Sequence, residues 1–395
     1  MTRSWCGCQD ILLGRYGPWF LPLHLKLRRK TVQTHWHCIG ISGSGKSRFL
    51  AGLYLGLLRA GLSATLVDPH GDLARLVLAH LVAEGYFRQP DAYERLLYLD
   101  LPAAERAGRF FPFNVLNQNG PPHTIASNIM EAMHRAWPAL SGGSAPMFDT
   151  LVQNGVKVLV SNGLPLPALY RFLIDKEFRD ELLAAEPDPD IVAVFHHWYD
   201  RLPVRDQLDQ SGSTLRRVGL LIFDPVLKYS LAQRETLLNF RGILDQNRSV
   251  IVNLALYNAE ARRLLGCLLT VGAEHGALSR AELPPESRLT SHHLVIDEFS
   301  EFTAQSEEAL SRMLSQTRKY GLYLVMAHQT WSQASERLRG ALQNVGLEVV
   351  FKLGRQDAQY TAPLLGRVDP LSVKHEVADT GALERTHPVF YSLGE

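Results

Sequence analysis

The chain has 395 residues and 46% apolar content, enough for one large or two ordinary domains with a full buried core, which excludes a disordered protein. Forty-one basic against forty acidic residues leave a formal charge of +1, so the global basic excess of many small DNA-binding domains is excluded and any nucleic-acid contact has to be local. Four cysteines (Cys6, Cys8, Cys38 and Cys267) are too few for a disulfide framework, and Cys6-Gly-Cys8 has no second pair at zinc-ligand spacing, so a reducing, cytosolic setting is expected.

In chain order, the stretch from Ile11 to Leu27 is locally apolar but contains Arg15, Pro18, Pro22, His24 and Lys26, and is too interrupted to span a bilayer. No charged start, continuous apolar stretch and cleavage site precede it, so neither a membrane segment nor a leader is expected. Trp36 to Ile39 reads as a short apolar strand. It runs into Gly40-Ile-Ser-Gly-Ser-Gly45-Lys46-Ser47, which satisfies the P-loop pattern. Glycines let such a loop close around phosphate oxygens, so Gly40, Ser42, Gly43, Ser44 and Gly45 are candidate phosphate-binding positions; Lys46 can reach the β/γ-phosphates and the Ser47 hydroxyl can hold Mg²⁺. Phe49, Leu50, Leu53 and Leu57 follow at helical spacing before Gly61.

Ser63 to Asp68 reads as a buried strand, Pro69 to Asp72 as a turn, and the next residues to about Glu84 as a helix. With short strands at Leu96 to Asp100 and Phe111 to Val115, residues 35–115 form the first half of a doubly wound, parallel α/β sheet. Helical periodicity then covers Ile125 to Trp137, Phe148 to Leu164, Leu166 to Phe178, Ile191 to Leu202 and Gln207 to Asp224, an all-α insertion over residues 121–245. Strands return at Ser249 to Leu254, His293 to Asp297, Leu322 to Met326 and Leu347 to Phe351. Residues 35–120 and 246–395 therefore make the nucleotide-binding core, residues 1–34 are a short N-terminal segment, and Leu283 to Ser287 is a surface connection. There is no internal repeat or low-complexity tract.

His293-Leu-Val-Ile-Asp297-Glu298 supplies the other half of a nucleotide site. Asp297 at the end of an apolar strand can serve Mg²⁺, and Glu298 can polarise the attacking water as general base. An acid pair capping a helix is the plainer alternative. Gln329, just past the strand from Leu322, should emerge at the carboxyl edge of the sheet, where it can sense the γ-phosphate or water. Arg318 closes the helix before that strand; it suits either a helix C-terminus or a phosphate presented by a neighbouring subunit.

Several segments together resemble the HerA/FtsK superfamily of ring-forming motor ATPases, in the branch of conjugative coupling proteins and type IV secretion ATPases. They are Thr34 to Ser47, Val67-Asp-Pro-His-Gly-Asp-Leu73, Phe111-Pro-Phe-Asn114, Val295-Ile-Asp-Glu-Phe299, Arg318 to Leu322, Ala327-His-Gln329, Asn344-Val-Gly and Phe351 to Asp357. The resemblance spans most of residues 35–366. It implies a RecA-like P-loop NTPase core, ATP and Mg²⁺ as cofactors, a homo-hexamer with ATP at subunit interfaces, and DNA threaded through a central pore. Lys46, Glu298, Gln329 and Arg318 become the catalytic set, Arg318 acting in trans, with Ser47 and Asp297 serving the metal. Relaxosome or secretion-channel proteins are the implied partners, at a cytoplasmic site peripheral to the inner membrane.

Two departures are expected to matter. The stretch before the P-loop is too short for the N-terminal β-barrel or paired membrane helices of relatives, and no extended DNA-reading tail follows the last core strand. Two other readings use the same engine or less of it: an ATPase that energises protein secretion, or a nucleotide-gated adaptor recruiting partners through the α-insertion. Glu298, Gln329 and Arg318 argue against the adaptor, since a switch without hydrolysis does not require all three. Elsewhere, His196 and His197 point about 100° apart on a helix and read as packing residues. His292 and His293 should alternate between strand faces. His70 is either a turn residue or a neighbour of the nucleotide site. Arg216-Arg217 and Arg262-Arg263 read as solvated pairs, with DNA contact the sharper alternative.

Overall fold

The computed structural model describes residues 10–16, 23–118, 120–140, 146–284, 290–303, 307–334, 336–342, 345–365, 374–378 and 385–389. Cys6, Cys8, Asn344 and most of the connection from Leu283 to Ser287 lie outside them. The chain divides into two compact units, Met1–Phe351 and Lys352–Glu395.

The N-terminal segment carries an element that periodicity did not reveal. Strands β1 (Asp10–Tyr16) and β2 (Leu23–Arg28) pair antiparallel with a register shift between Leu12 and Gly14. Ile11 of β1 is fully buried. It enters the core beside the P-loop helix α1 (Lys46–Arg59), where a Cβ on Gly56 would stand 2.7 Å from Ile11 Cγ2. Leu23, Leu25 and Leu27 alternate with polar residues in β2, but Leu23 and Leu25 are exposed, while Leu27 packs on the core with Ile11 and Leu13.

Seven strands build the sheet: β3 (Trp36–Ile39), β4 (Ser63–Asp68), β5 (Leu96–Asp100), β6 (Ser249–Asn253), β7 (His292–Ile296), β8 (Leu322–His328) and β9 (Leu347–Val350). Their order is β5-β6-β4-β7-β8-β3-β9, and every neighbouring pair is parallel. The strands between the edges are buried along their whole length, as their near-continuous apolar runs require when helices cover both faces. Helices α1 and α2 (Asp72–Ala83) follow β3 and β4. The α/β class, a parallel sheet flanked by helices, is the one expected.

Between β5 and β6 the chain is helical, with α3 (Pro122–Ala136), α4 (Pro146–Ser161), α5 (Ala168–Ile174), α6 (Lys176–Leu183) and α7 (Val204–Phe223) as its main elements. A buried ion network ties it to the core. Arg135 of α3 donates to Glu131 at 2.6 Å and to Glu274 of α8 (Ala259–Leu278) at 2.7 Å, and Arg312 of α9 (Glu307–Gln316) donates to Glu274 at 3.0 Å. Both members of the Arg135–Glu274 pair are buried, and each has a second partner, Glu131 for the arginine and Arg312 for the glutamate, so the charges are compensated as a network.

Three expectations are corrected. Phe111 to Val115 joins no sheet: Phe113 forms an isolated antiparallel bridge with Thr236, Pro112 accepts from Leu237 N, and Asn114 turns the chain by accepting from Leu116 N at 3.0 Å. The single helix expected over Leu166 to Phe178 is two, because Asp175 leaves helical geometry and caps α6 by accepting from Phe178 N at 3.1 Å. Ile191 to Leu202 passes from an α-turn (Pro189–Ala193) through a π-turn (Val194–Trp198) to a 3₁₀ turn (Tyr199–Arg201). The second unit holds a helix (Arg355–Thr361) and an antiparallel hairpin, β10 (Lys374–Ala378) with β11 (Arg385–Val389). No helix among the described residues is long and apolar enough to cross a membrane.

Candidate functional site

Strand order assembles the site. β8 lies between β3 and β7, with β4 on the far side of β7, so the loops leaving their carboxyl ends stand side by side at strand spacing, about 4.8 Å. The P-loop follows β3, Gln329 follows β8, the Asp297-Glu298 pair follows β7, and Asp68 ends β4. They surround a cleft of about 630 Å³ lined by Ser42 to Arg48, by Asp68, His70 and Asp72, and by Asp297, Glu298 and Gln329.

The P-loop turns on Gly43 (φ +74°) and Gly45 (φ +103°), left-handed geometry that favours glycine, and α1 starts immediately afterwards. The helix N-terminus thus faces the cleft, where unpaired N–H groups and the dipole favour an anion. Lys46 is buried, donating to the carbonyls of Gly40 and Ile41, so Gly40 supports the lysine from outside the cleft lining. Burial lowers the Lys46 pKa, while Glu298 and Asp297 act to raise it. The Ser44 hydroxyl is buried with no hydrogen-bond partner among the described residues, a donor available to a phosphate oxygen.

Ser47 Oγ donates to Asp297 Oδ2 at 3.3 Å. Burial, then the nearby Asp68 charge, push the Asp297 carboxyl up to about 6, with Glu298 adding to the effect. An alcohol and a carboxylate side by side, in a place short of positive charge, form an all-oxygen donor set that fits a small hard dication. Glu298 stands at φ +60°, a conformation that costs a non-glycine residue about 1–3 kcal/mol and turns the chain sharply out of β7. Its carboxylate accepts from Gln329 Nε2 at 2.9 Å, Gln333 Nε2 at 3.0 Å and Ser300 Oγ at 2.5 Å.

Gln333 and Asp68 were missed in the sequence. Gln333 Oε1 accepts from the backbone N–H groups of Gln329 and Thr330, both at 3.0 Å, which aims its amide NH₂ at Glu298. Its signal was the capping box Thr330-Trp-Ser-Gln333, directly after Gln329. Asp68 accepts from His70 N (2.9 Å) and Ala74 N (2.8 Å), setting the turn that carries His70 to the cleft. Beneath the P-loop, His37 joins His328 (2.7 Å) to Glu348 (3.1 Å), and burial pushes His328 down to about 3.

Arg318 is not brought to this cleft. It is exposed in the 3₁₀ turn Thr317–Tyr320, at the amino end of β8, whereas Gln329 follows its carboxyl end. His196 and His197 do not converge: the first faces Asp180 at 3.9 Å and the second accepts from Arg201 at 3.3 Å.

Residues 291–386 match the family described as the TraM recognition site of TraD and TraG. No curated protein sequence matches the chain. Among solved structures, the chain is similar to the bacterial conjugative coupling protein TrwBdeltaN70 in its unbound monoclinic form, with 16% identity over 92% of this chain and 78% of that chain and a TM-score of 0.56. The plasmid coupling protein TrwB in complex with ADP and Mg²⁺ gives 17% identity, 80% and 71% coverage, and a TM-score of 0.53. VirB4 of Thermoanaerobacter pseudethanolicus gives 12%, 91% and 90%, and 0.52. The resemblance to conjugative coupling proteins and type IV secretion ATPases is borne out, and the fold is theirs: a RecA-like P-loop core with an all-α insertion.

Proposed function

We propose that the chain is a Mg²⁺-dependent ATPase that drives DNA through a ring of like subunits in conjugative transfer. The observation that carries the reading is the convergence of Ser47, Asp297 and Glu298 on the P-loop cleft, with Glu298 held by Gln329 and Gln333. Backbone N–H groups of the P-loop and Lys46 bind the phosphates of ATP, and Ser47 with Asp297 holds the metal. The chemistry Mg²⁺ supplies when bound is neutralisation of the phosphate charge. Glu298 takes a proton from the attacking water, Gln329 aligns that water, and Arg318 reaches the γ-phosphate of the neighbouring subunit. DNA is favoured as cargo by the conjugative coupling proteins whose fold the chain shares, and a relaxosome partner for residues 291–386 by the family they match. Such partners hold the ring at the cytoplasmic face of the inner membrane.

ATP turnover with and without single- or double-stranded DNA, at one stated salt concentration, tests the proposal, since phosphate contacts are salt-sensitive. A several-fold rise with DNA is expected. Turnover unchanged by either form contradicts DNA as the cargo.

A further inference from the structure

Tyr257 is the most exposed large hydrophobic side chain among the described residues, at 103% against 73% for Phe223. Its loop is nevertheless firmly held. Leu254 N donates to Asp68 O at 2.9 Å, Ala255 N to Asn253 Oδ1 at 3.1 Å, and Arg262 to Leu256 O at 3.3 Å. On the other flank, Asn258 caps α8 by accepting from Glu260 N and Ala261 N, and its amide donates to Asp224 Oδ2 at 2.9 Å. Anchored neighbours on both sides keep the ring in water at little further entropic cost to a ligand.

The same loop packs against the nucleotide cleft. Gly71, at φ +82°, belongs to the turn whose Asp68, His70 and Asp72 line the cleft. A Cβ at Gly71 would stand 2.6 Å from Asn253 Oδ1 and 3.1 Å from Ala255 Cβ, so the close approach of turn and loop leaves no room for a side chain there. The bond from Asn258 to Asp224 brings the end of α7 against this loop; Arg216 is exposed on α7 about two turns before that end, and Arg263 is exposed one turn into α8. Arg217 lies within electrostatic reach of Glu260, which sets this part of α7 beside the start of α8, where Arg216 and Arg263 are exposed.

We propose that Tyr257 is a stacking platform for a base of single-stranded nucleic acid, with Arg216 and Arg263 serving the flanking phosphates. A free aromatic face beside cations is the combination that sequence-tolerant single-strand binding uses, because every base offers a π-face. The inference rests on the reading of DNA as cargo.

The test uses the full chain, a fluorescently labelled oligothymidylate at fixed salt, and ATP turnover without DNA as the control for folding. Tyr257→Ala should weaken single-strand binding about 5- to 150-fold, the range for losing one base stack, with basal turnover unchanged. Tyr257→Phe should bind within about twofold of wild type, since it keeps the ring. Wild-type-like binding by Tyr257→Ala overturns the inference and leaves the cargo reading standing. Wild-type binding to duplex but not to the single strand does the same. A wild type that hydrolyses ATP yet binds neither form overturns the cargo reading, and the inference with it.

Discussion

The two ends of the parallel strands treat their polar groups in opposite ways. At the amino ends, Ser63 and Thr65 hydroxyls lie 2.8 Å from the two ring nitrogens of His292, and Arg280 pairs with Asp245 (2.8 Å) and the carbonyls of Thr290 and Tyr320 (3.1 and 3.0 Å). Burial pushes His292 down to about 3, so it stays neutral across the physiological range and acts as a structural hydrogen-bonding group. At the carboxyl ends, Asp68, Asp297 and Glu298 crowd near Lys46, and Asp297 is pushed up to about 6. Polar groups that satisfy one another hold a sheet together. A carboxylate whose proton affinity is raised by burial and by a neighbouring acid, as at Asp297, instead marks a place where a cation would bind.

Arg318 is the group that breaks this contrast, being proposed for chemistry at the carboxyl ends while standing at the amino ends. The seven residues of β8 separate it from the cleft of its own chain by roughly 20 Å, beyond the reach of any arginine side chain. Arg318→Ala should therefore lower turnover about 10³-fold, as for other arginines that stabilise phosphoryl transfer. Mixing it with inactive Glu298→Gln should restore part of the activity, because the second variant lends Arg318 to sites whose Glu298 is intact. Failure of every mixing ratio to restore turnover would remove the trans assignment.

A smaller effect is expected of Gln333→Ala, which strips one donor from Glu298 and the shared acceptor from Gln329 N and Thr330 N. Turnover should fall about 10-fold with KM for ATP nearly unchanged, the pattern of a residue that positions the base rather than binds substrate. A raised KM at unchanged kcat would assign it to binding instead.

What could be read in the sequence follows the same divide between local and assembled features. The P-loop was legible because its glycines answer a local backbone demand at Gly43 and Gly45, and Asp297-Glu298 because an apolar strand ends there. Gln333 was not, since its role exists only once the loop after β8 lies beside the turn after β7. The N-terminal hairpin escaped because its core contacts are made far along the chain: Ile11 lies against Gly56, and Leu13 and Leu27 pack on the same core. Phe111 to Val115 looked like a strand by composition, yet Pro112 cannot donate to a ladder and the Asn114 side chain turns the backbone.

The central claim is that Glu298 is the base of an ATP-hydrolysing site built at the carboxyl ends of the strands, and paired ATP-binding and turnover measurements on Glu298→Gln test it most directly. Nucleotide affinity should stay within about threefold of wild type while turnover falls about 10²- to 10⁴-fold, the contribution of a positioned general base. Equal hydrolysis by wild type and Glu298→Gln would contradict it.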